Sequence, residues 1–131
     1  MNYPQLGGLQ AYQKNKYETA SPHRLVLMMY EAALTQLDRA ERAVEQRNIV
    51  ERNQTLQKAQ DILYELISSL NMQQGGEIAK NLRQLYLYMI ERLAQANIHN
   101  DAAAIREVRE LLQPIKSAWE QIGKDVQLGF P

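Results

Sequence analysis

One segment near the middle of the chain, residues 77–97, repeats apolar side chains at steps of three and four positions. These side chains are Ile78, Leu82, Leu85, Met89, Leu93 and Ala96. The spacing puts all six on one face of an α-helix, and such a face must be covered by other helices. Gly75 and Gly76 are expected to interrupt any helix just before this segment. Glu77, in its first turn, places a negative charge at the positive end of the helix dipole. The segment therefore requires an architecture in which helices pack together.

The same segment carries more apolar side chains than one buried stripe needs. Residues 85–90 read Leu-Tyr-Leu-Tyr-Met-Ile without a polar residue that breaks the run. Tyr86, Leu87 and Ile90 lie beside the main stripe. A bundle helix that is apolar on more than one face is either central or has a binding partner.

Three further segments show helical spacing of apolar residues. Ser21 and Pro22 begin the first, because serine is a favoured N-cap and proline at the first helical position loses no hydrogen bond. Asn100 or Asp101 can cap the last, and Gly123 is expected to end it. Pro114 should bend that helix without ending it, because the apolar spacing continues past it. The sequence predicts helices over about 21–46, 52–72, 77–97 and 101–123.

The connections between these helices are short, which makes neighbouring helices antiparallel. No segment shows the sustained alternation that is typical of a strand. The predicted fold is all-α: an antiparallel up-down-up-down four-helix bundle with a short N-terminal helix or arm. We expect a single domain over residues 1–131, made of an arm at 1–20, the bundle at 21–123 and a flexible tail at 124–131.

The charge balance and the composition exclude several classes of protein. Lys+Arg and Asp+Glu both number 15, so the chain lacks the basic excess typical of proteins that bind nucleic acid or anionic membranes. It has no cysteine, which fits a reducing cytosol. No apolar run approaches the roughly 20 residues that cross a bilayer, and the first residues do not resemble a signal peptide. We therefore expect a soluble, cytoplasmic protein.

The histidines do not form a recognisable catalytic or metal site. Di-metal helix bundles use Glu-x-x-His, but alanine stands three positions before both His23 and His99. The chain has no Cys/His set with zinc spacing. His23 falls in a first helical turn and His99 in an expected loop, which does not favour phosphotransfer. We expect no enzyme, no catalytic residue, no metal and no cofactor, and a phosphotransfer or metal-binding bundle remains an alternative.

The first helix also has a second apolar strip beside its main stripe. The strip contains Leu25, Met28, Met29 and Ala32 and is confined to the N-terminal half of the helix. Methionine adapts both to gaps in a core and to surfaces that accept varied apolar partners. Met28 and Met29 therefore either fill the core or contact a partner. With no metal or catalytic set, the apolar surplus favours a binding protein whose ligand is another polypeptide.

Several segments occur in a characteristic order along the chain. They are Gly8-Leu9-Gln10-Ala11-Tyr12, Glu18-Thr19-Ala20-Ser21-Pro22-His23-Arg24-Leu25-Val26, Gly75-Gly76-Glu77-Ile78-Ala79-Lys80-Asn81-Leu82 and Ala118-Trp119-Glu120-Gln121-Ile122. Together they resemble the flagellar secretion chaperone FliS family, and the resemblance covers about residues 8–123.

The resemblance implies a specific function. Family members bind the disordered C-terminal segment of newly made flagellin in the cytoplasm, prevent its premature polymerisation and deliver it to the flagellar type III export apparatus. Some members also bind an anti-sigma factor, so a regulatory adaptor is the alternative. In the family an N-terminal arm covers part of the binding groove, and Leu9 and Tyr12 match its apolar anchors. The expected partner contacts are Leu9, Tyr12, Leu25, Met28, Met29, Leu87 and Ile90.

Overall fold

The computed structural model describes the backbone of residues 21–127 and the side chains of residues 21–123. This part of the chain forms four α-helices and contains no strand, which confirms the all-α prediction. The predicted arm at 1–20, with Leu9 and Tyr12, lies outside the described residues, as do residues 128–131. The helices are α1 (Pro22–Glu45), α2 (Ile49–Ser68), α3 (Met72–His99) and α4 (Ala102–Gln127).

Each helix packs against two neighbours, as in a helical bundle: α1 and α3 both contact α2 and α4. Polar contacts join the start of one helix to the end of its neighbour. Arg52 in α2 donates to Asn97 near the end of α3 at 2.8 Å, and Arg106 in α4 pairs with Glu41 in α1 at 2.9 Å. Contacts of this kind are expected between antiparallel neighbours. The up-down-up-down order of all four helices stays a prediction that rests on the short connections.

The centre of the bundle is filled by the apolar stripes that the sequence predicts. Every helix contributes, and burial of each large side chain stabilises the fold by about 1.5–3 kcal/mol. The fully buried residues include Leu37, Leu56, Leu63, Met89, Leu93, Ile105, Val108 and Leu112.

Short polar side chains cap the helices at their connections. Asn48 accepts a hydrogen bond from the Glu51 amide at the start of α2, and Asp101 accepts one from the Ala103 amide at the start of α4. Asn100 adopts the left-handed conformation, with φ 53°, and ends α3. Of the two predicted caps for the fourth helix, Asp101 therefore serves α4.

The end of the second helix differs from the prediction. The second helix ends at Ser68 and not at Met72, because Asn71 caps a new helical turn by accepting from the Gln74 amide. That turn leads directly to Gly76, whose φ of 52° interrupts α3 at the predicted glycine break.

The prediction that Gly123 ends the fourth helix is wrong. The helix continues to Gln127, and Gly123 is buried inside it against the ring of His23. The missing side chain therefore makes room for a contact between helices. The helix also continues across Pro114, as the apolar spacing predicts.

Candidate functional site

An apolar groove of about 390 Å³ opens at the end of the bundle where α2 leads into α3. All four helices contribute to it. Its lining is mostly apolar, with a few polar side chains near the α2–α3 connection. The lining residues are Val26, Tyr30, Leu66, Ser69, Leu70, Asn71, Gln74, Gly75, Ile78, Ala79, Leu82, Tyr86 and Trp119. We call this set the end groove.

The end groove exists because α3 extends past the end of α2. The Gln60 side chain of α2 donates to the carbonyl of Ile90 in α3 at 3.1 Å, which sets these residues at the same level. In an antiparallel pair, the last residue of α2, Ser68, then lies level with Leu82. Ile78 is one turn further and has no α2 surface to cover it.

Ile78 shows the consequence of this offset. The sequence places it on the buried stripe of the third helix, and this placement is wrong: Ile78 is 74% exposed. Leu82 and Leu85 are half-buried, and the stripe becomes fully buried only at Met89. The first turns of α3 therefore present apolar side chains at the edge of the end groove.

Trp119 of α4 lines the groove and is held in place by His23 of α1. The two rings are stacked, with centroids 4.8 Å apart and planes 8° from parallel. The indole N–H of Trp119 donates to the His23 carbonyl at 2.9 Å, and Nε2 of His23 donates to the Trp119 carbonyl at 2.6 Å. Gly123 lies directly beneath the imidazole ring. These contacts fix Trp119 as a rigid part of the groove wall.

Tyr30 and Tyr86 bring two hydroxyl groups together beside the apolar lining. Their hydroxyl oxygens are 2.7 Å apart and both side chains are almost completely buried. Burial raises the pKa of Tyr30 above its ordinary value, and burial together with the hydrogen bond to Tyr30 raises the pKa of Tyr86. Both hydroxyls are therefore neutral hydrogen-bonding groups at physiological pH.

The expected partner contacts occupy different environments. Leu25, Met28 and Met29 are half-buried on the N-terminal half of α1, and Met29 packs against the core. Leu87 is 36% exposed on α3. Ile90 is 7% exposed and belongs to the core, so it offers almost no surface to a partner in this conformation.

Sequence reasoning did not assign the side chains that form most of the end groove. Val26, Tyr30, Leu82 and Trp119 follow the regular apolar spacing, so the sequence predicts them as core. The available signal is Gly75-Gly76, which predicts a break in the helices but not which side chains are left uncovered.

The alternatives based on metal or phosphotransfer chemistry find little support in the described part of the chain. It contains no group of three or more His, Cys, Asp or Glu side chains arranged to hold a metal ion. The imidazole of His23 is stacked on Trp119 and hydrogen-bonded to the main chain, so it is not freely presented. His99, expected in a loop, is the last residue of α3. Over the same residues, no helix has both the length and the hydropathy to cross a bilayer.

A family model described as "Flagellar protein FliS" matches residues 6–126, which include every residue that lines the end groove. The chain belongs to the FliS family. Two relatives named flagellar secretion chaperone FliS are 43% and 45% identical over 120 residues, one from Vibrio cholerae and one from Salmonella typhimurium. Each alignment covers 88% of this chain, with 88% of the Vibrio protein and 89% of the Salmonella protein.

A third relative, flagellar secretion chaperone FliSB of Pseudomonas aeruginosa, is 38% identical over 118 residues, covering 87% of this chain and 94% of its own. These FliS relatives are named as chaperones, which are not enzymes. Together with the groove, this membership favours a binding role for the chain.

Proposed function

We propose that this FliS-family chain is an export chaperone for flagellin. It binds the disordered C-terminal segment of flagellin in the cytoplasm, prevents premature polymerisation and delivers the subunit to the flagellar type III export apparatus. The observation that carries this proposal is the end groove, an uncovered apolar surface in a chain whose relatives are named flagellar secretion chaperones.

The lining of the end groove suits a disordered ligand. Such a segment loses conformational entropy when it binds, so it needs several separate apolar contacts. Val26 of α1, Leu70 of the α2–α3 connection, and Ile78 and Leu82 of α3 offer these contacts. Each large side chain of the ligand that becomes buried contributes about 1.5–3 kcal/mol before the entropy loss is subtracted.

We propose that the contact surface continues from the end groove onto α1 and α3. Leu25, Met28 and Met29 lie in the first two turns of α1 beside Val26, and Leu87 directly follows Tyr86, the last α3 residue of the groove lining. Ile90, the remaining expected contact on these helices, supports this surface from the core.

We further propose that the arm with Leu9 and Tyr12 covers part of the groove until flagellin arrives. A covering arm weakens binding, because the apparent affinity equals the affinity of the open groove multiplied by the fraction of time that the groove is open. Replacing both residues with alanine should change the affinity for flagellin while the helical circular dichroism stays the same. A double variant that simply unfolds assigns the arm a structural role instead.

The proposed function is tested by titrating the chain with a synthetic peptide of the flagellin C-terminal segment in a calorimeter. We expect one-to-one binding with a negative heat-capacity change, because apolar surface is buried. Ile78→Gln should weaken binding about 5- to 30-fold, the effect of losing most of the burial of one large apolar side chain.

Ile98 provides a matched control for this experiment. It lies on the same helix, is 76% exposed against 74% for Ile78, and stands at the opposite end of α3. Ile98→Gln should therefore bind the peptide as the unmodified chain does. Equal losses in the two variants, or no binding at high micromolar concentration, contradict the proposal. Displacement of the peptide by an anti-sigma factor at lower concentration favours the regulatory adaptor.

A further inference from the structure

The Tyr30–Tyr86 pair adds a polar element to the otherwise apolar end groove. The two side chains are 2% and 1% exposed, and both residues line the groove. Their hydroxyl groups join α1 to α3 across the bundle at 2.7 Å. No other side chain within the groove lining is both polar and buried to this degree.

The single hydrogen bond within this pair leaves one of its two protons without an acceptor. Each hydroxyl carries one proton, and the bond between them uses one of the two, whichever tyrosine donates. Among the described residues, no further atom is hydrogen-bonded to either hydroxyl. A buried donor without an acceptor lowers stability, so the second proton needs a partner when an occupant displaces water from the groove.

We propose that the Tyr30–Tyr86 pair donates its second proton to a main-chain carbonyl oxygen of the polypeptide segment that occupies the end groove. The pair thereby selects the position of the segment along the groove. This inference rests on the proposed function, since it needs a polypeptide in the groove.

A main-chain carbonyl fits this donor better than a charged acceptor. Every residue of a bound segment carries a carbonyl, and extended chain or the last turn of a short helix leaves carbonyls unpaired. A carboxylate that enters an apolar groove without a cation loses much more hydration free energy. Because burial raises the pKa of both tyrosines, the pair keeps both protons at physiological pH.

This donor gives the groove a selectivity that apolar contacts do not supply. An apolar surface accepts many side chains of similar size. A buried donor disfavours any alignment that places an apolar atom against it, because the donor is then left unpaired. The tyrosine pair therefore acts as a specificity-determining element beside the apolar contacts.

The test uses Tyr30→Phe, Tyr86→Phe and the double variant, titrated with the flagellin C-terminal peptide. Phenylalanine keeps the ring and removes the donor. We expect the double variant to bind about tenfold more weakly, and at least one single variant to show most of this loss. The double variant should unfold close to the unmodified chain, because replacing both partners at constant shape is nearly neutral. Tyr64→Phe, at a site 53% exposed on α2, is the matched control and should bind within twofold.

A second arm of the experiment locates the acceptor. Main-chain amides of the peptide are replaced one at a time by esters, whose carbonyl accepts hydrogen bonds more weakly. We expect one ester position to weaken binding to the unmodified chain and to have little additional effect on the double phenylalanine variant. This coupling is the signature of a direct hydrogen bond.

The outcomes separate the two proposals. If the double variant binds within twofold of the unmodified chain, the tyrosine inference is overturned and the proposed function stands. If the variant binds weakly but no ester position is coupled to it, the pair acts through groove shape and the inference is again overturned. If the unmodified chain does not bind the peptide, both proposals fail.

Discussion

Replacing Gly123 with alanine tests the contact between the start of α1 and the end of α4. A Cβ atom at this position lies 2.0 Å from Cε1 of His23 and 2.6 Å from each ring nitrogen, much closer than atoms can approach. The imidazole must therefore move. It cannot do so without leaving the stack on Trp119 and the hydrogen bond to the Trp119 carbonyl.

The size of the effect follows from these two contacts. An aromatic stack is worth about 0.5–1.5 kcal/mol, and a neutral hydrogen bond contributes about 0.5–1.5 kcal/mol. Their loss is offset by the better helix propensity of alanine, about 1 kcal/mol. Gly123→Ala should therefore lower the free energy of unfolding by about 1 kcal/mol, which lowers Tm by roughly 4 °C.

The sign of the effect should reverse when the imidazole is absent. In a His23→Ala background, Gly123→Ala meets no ring, so only the propensity gain remains and the chain becomes about 1 kcal/mol more stable. A double-mutant cycle over the two positions should then give a coupling free energy of about 1–3 kcal/mol.

The assay is urea unfolding of the four proteins, followed by circular dichroism and by fluorescence. Trp119 is the only tryptophan in the chain, so its emission reports directly on this contact. If Gly123→Ala stabilises the chain equally in both backgrounds, the close approach of His23 to α4 is refuted.

Three further changes probe other contacts. Glu41→Gln should cost about 1 kcal/mol at pH 7. Partial burial raises the pKa of Glu41, but Arg109 and Arg106 lower it more, so the net shift is downward. The stability that Glu41 adds is therefore fully present above its ordinary pKa of 4.5 and is lost as the pH falls through its lowered pKa in the folded chain. Denaturant unfolding should show a smaller difference between the two proteins at pH 3 than at pH 7. Gly76→Ala should lower the free energy of unfolding by about 1 kcal/mol. The cause is backbone strain alone, because φ is 52° and nothing lies within 4 Å of an added Cβ. A Tm equal to that of the unmodified chain contradicts this prediction. Asp101→Ala should cost about 1 kcal/mol by removing the cap of α4, and Asp101→Asn should restore most of it in the same thermal melt.

The helical core could be predicted from the sequence because its signal is local. Leu37, Leu63, Leu93 and Val108 recur at helical spacing in four separate segments, and all four are buried. The period of 3.6 residues determines which side chains share a face, whatever the neighbouring helix contributes. Short connections then limit how the four segments can pack.

The end groove could not be predicted because the same local spacing occurs in buried and uncovered turns. Ile78 and Leu93 both fit the stripe of α3, and only the position where α2 ends distinguishes them. The apolar spacing of α2 continues to Leu70, so it indicated a longer helix than the structure has. Asn71 decides where α2 ends by capping α3, and the apolar spacing carries no sign of this cap.

Contacts between distant positions are similarly invisible to local patterns. His23 and Trp119 are 96 positions apart, and nothing near either residue indicates their stack or their two hydrogen bonds. The same holds for Tyr30 and Tyr86, which are separated by 56 positions. The stripes predict that such residues are buried but not which of them meet.

Several ion pairs join neighbouring helices in the half of the bundle far from the end groove. They include Arg39–Glu51, Arg92–Glu107, Arg106–Glu41 and Arg109–Asp38. The other half contains the cavity and the glycine interruption, so amide protons in the first turns of α3 should exchange with solvent faster than those near its end. Local unfolding of those turns leaves the ionic half intact. Under the proposed function, a flagellin segment can therefore bind and dissociate through local opening of one end of the bundle, without global unfolding.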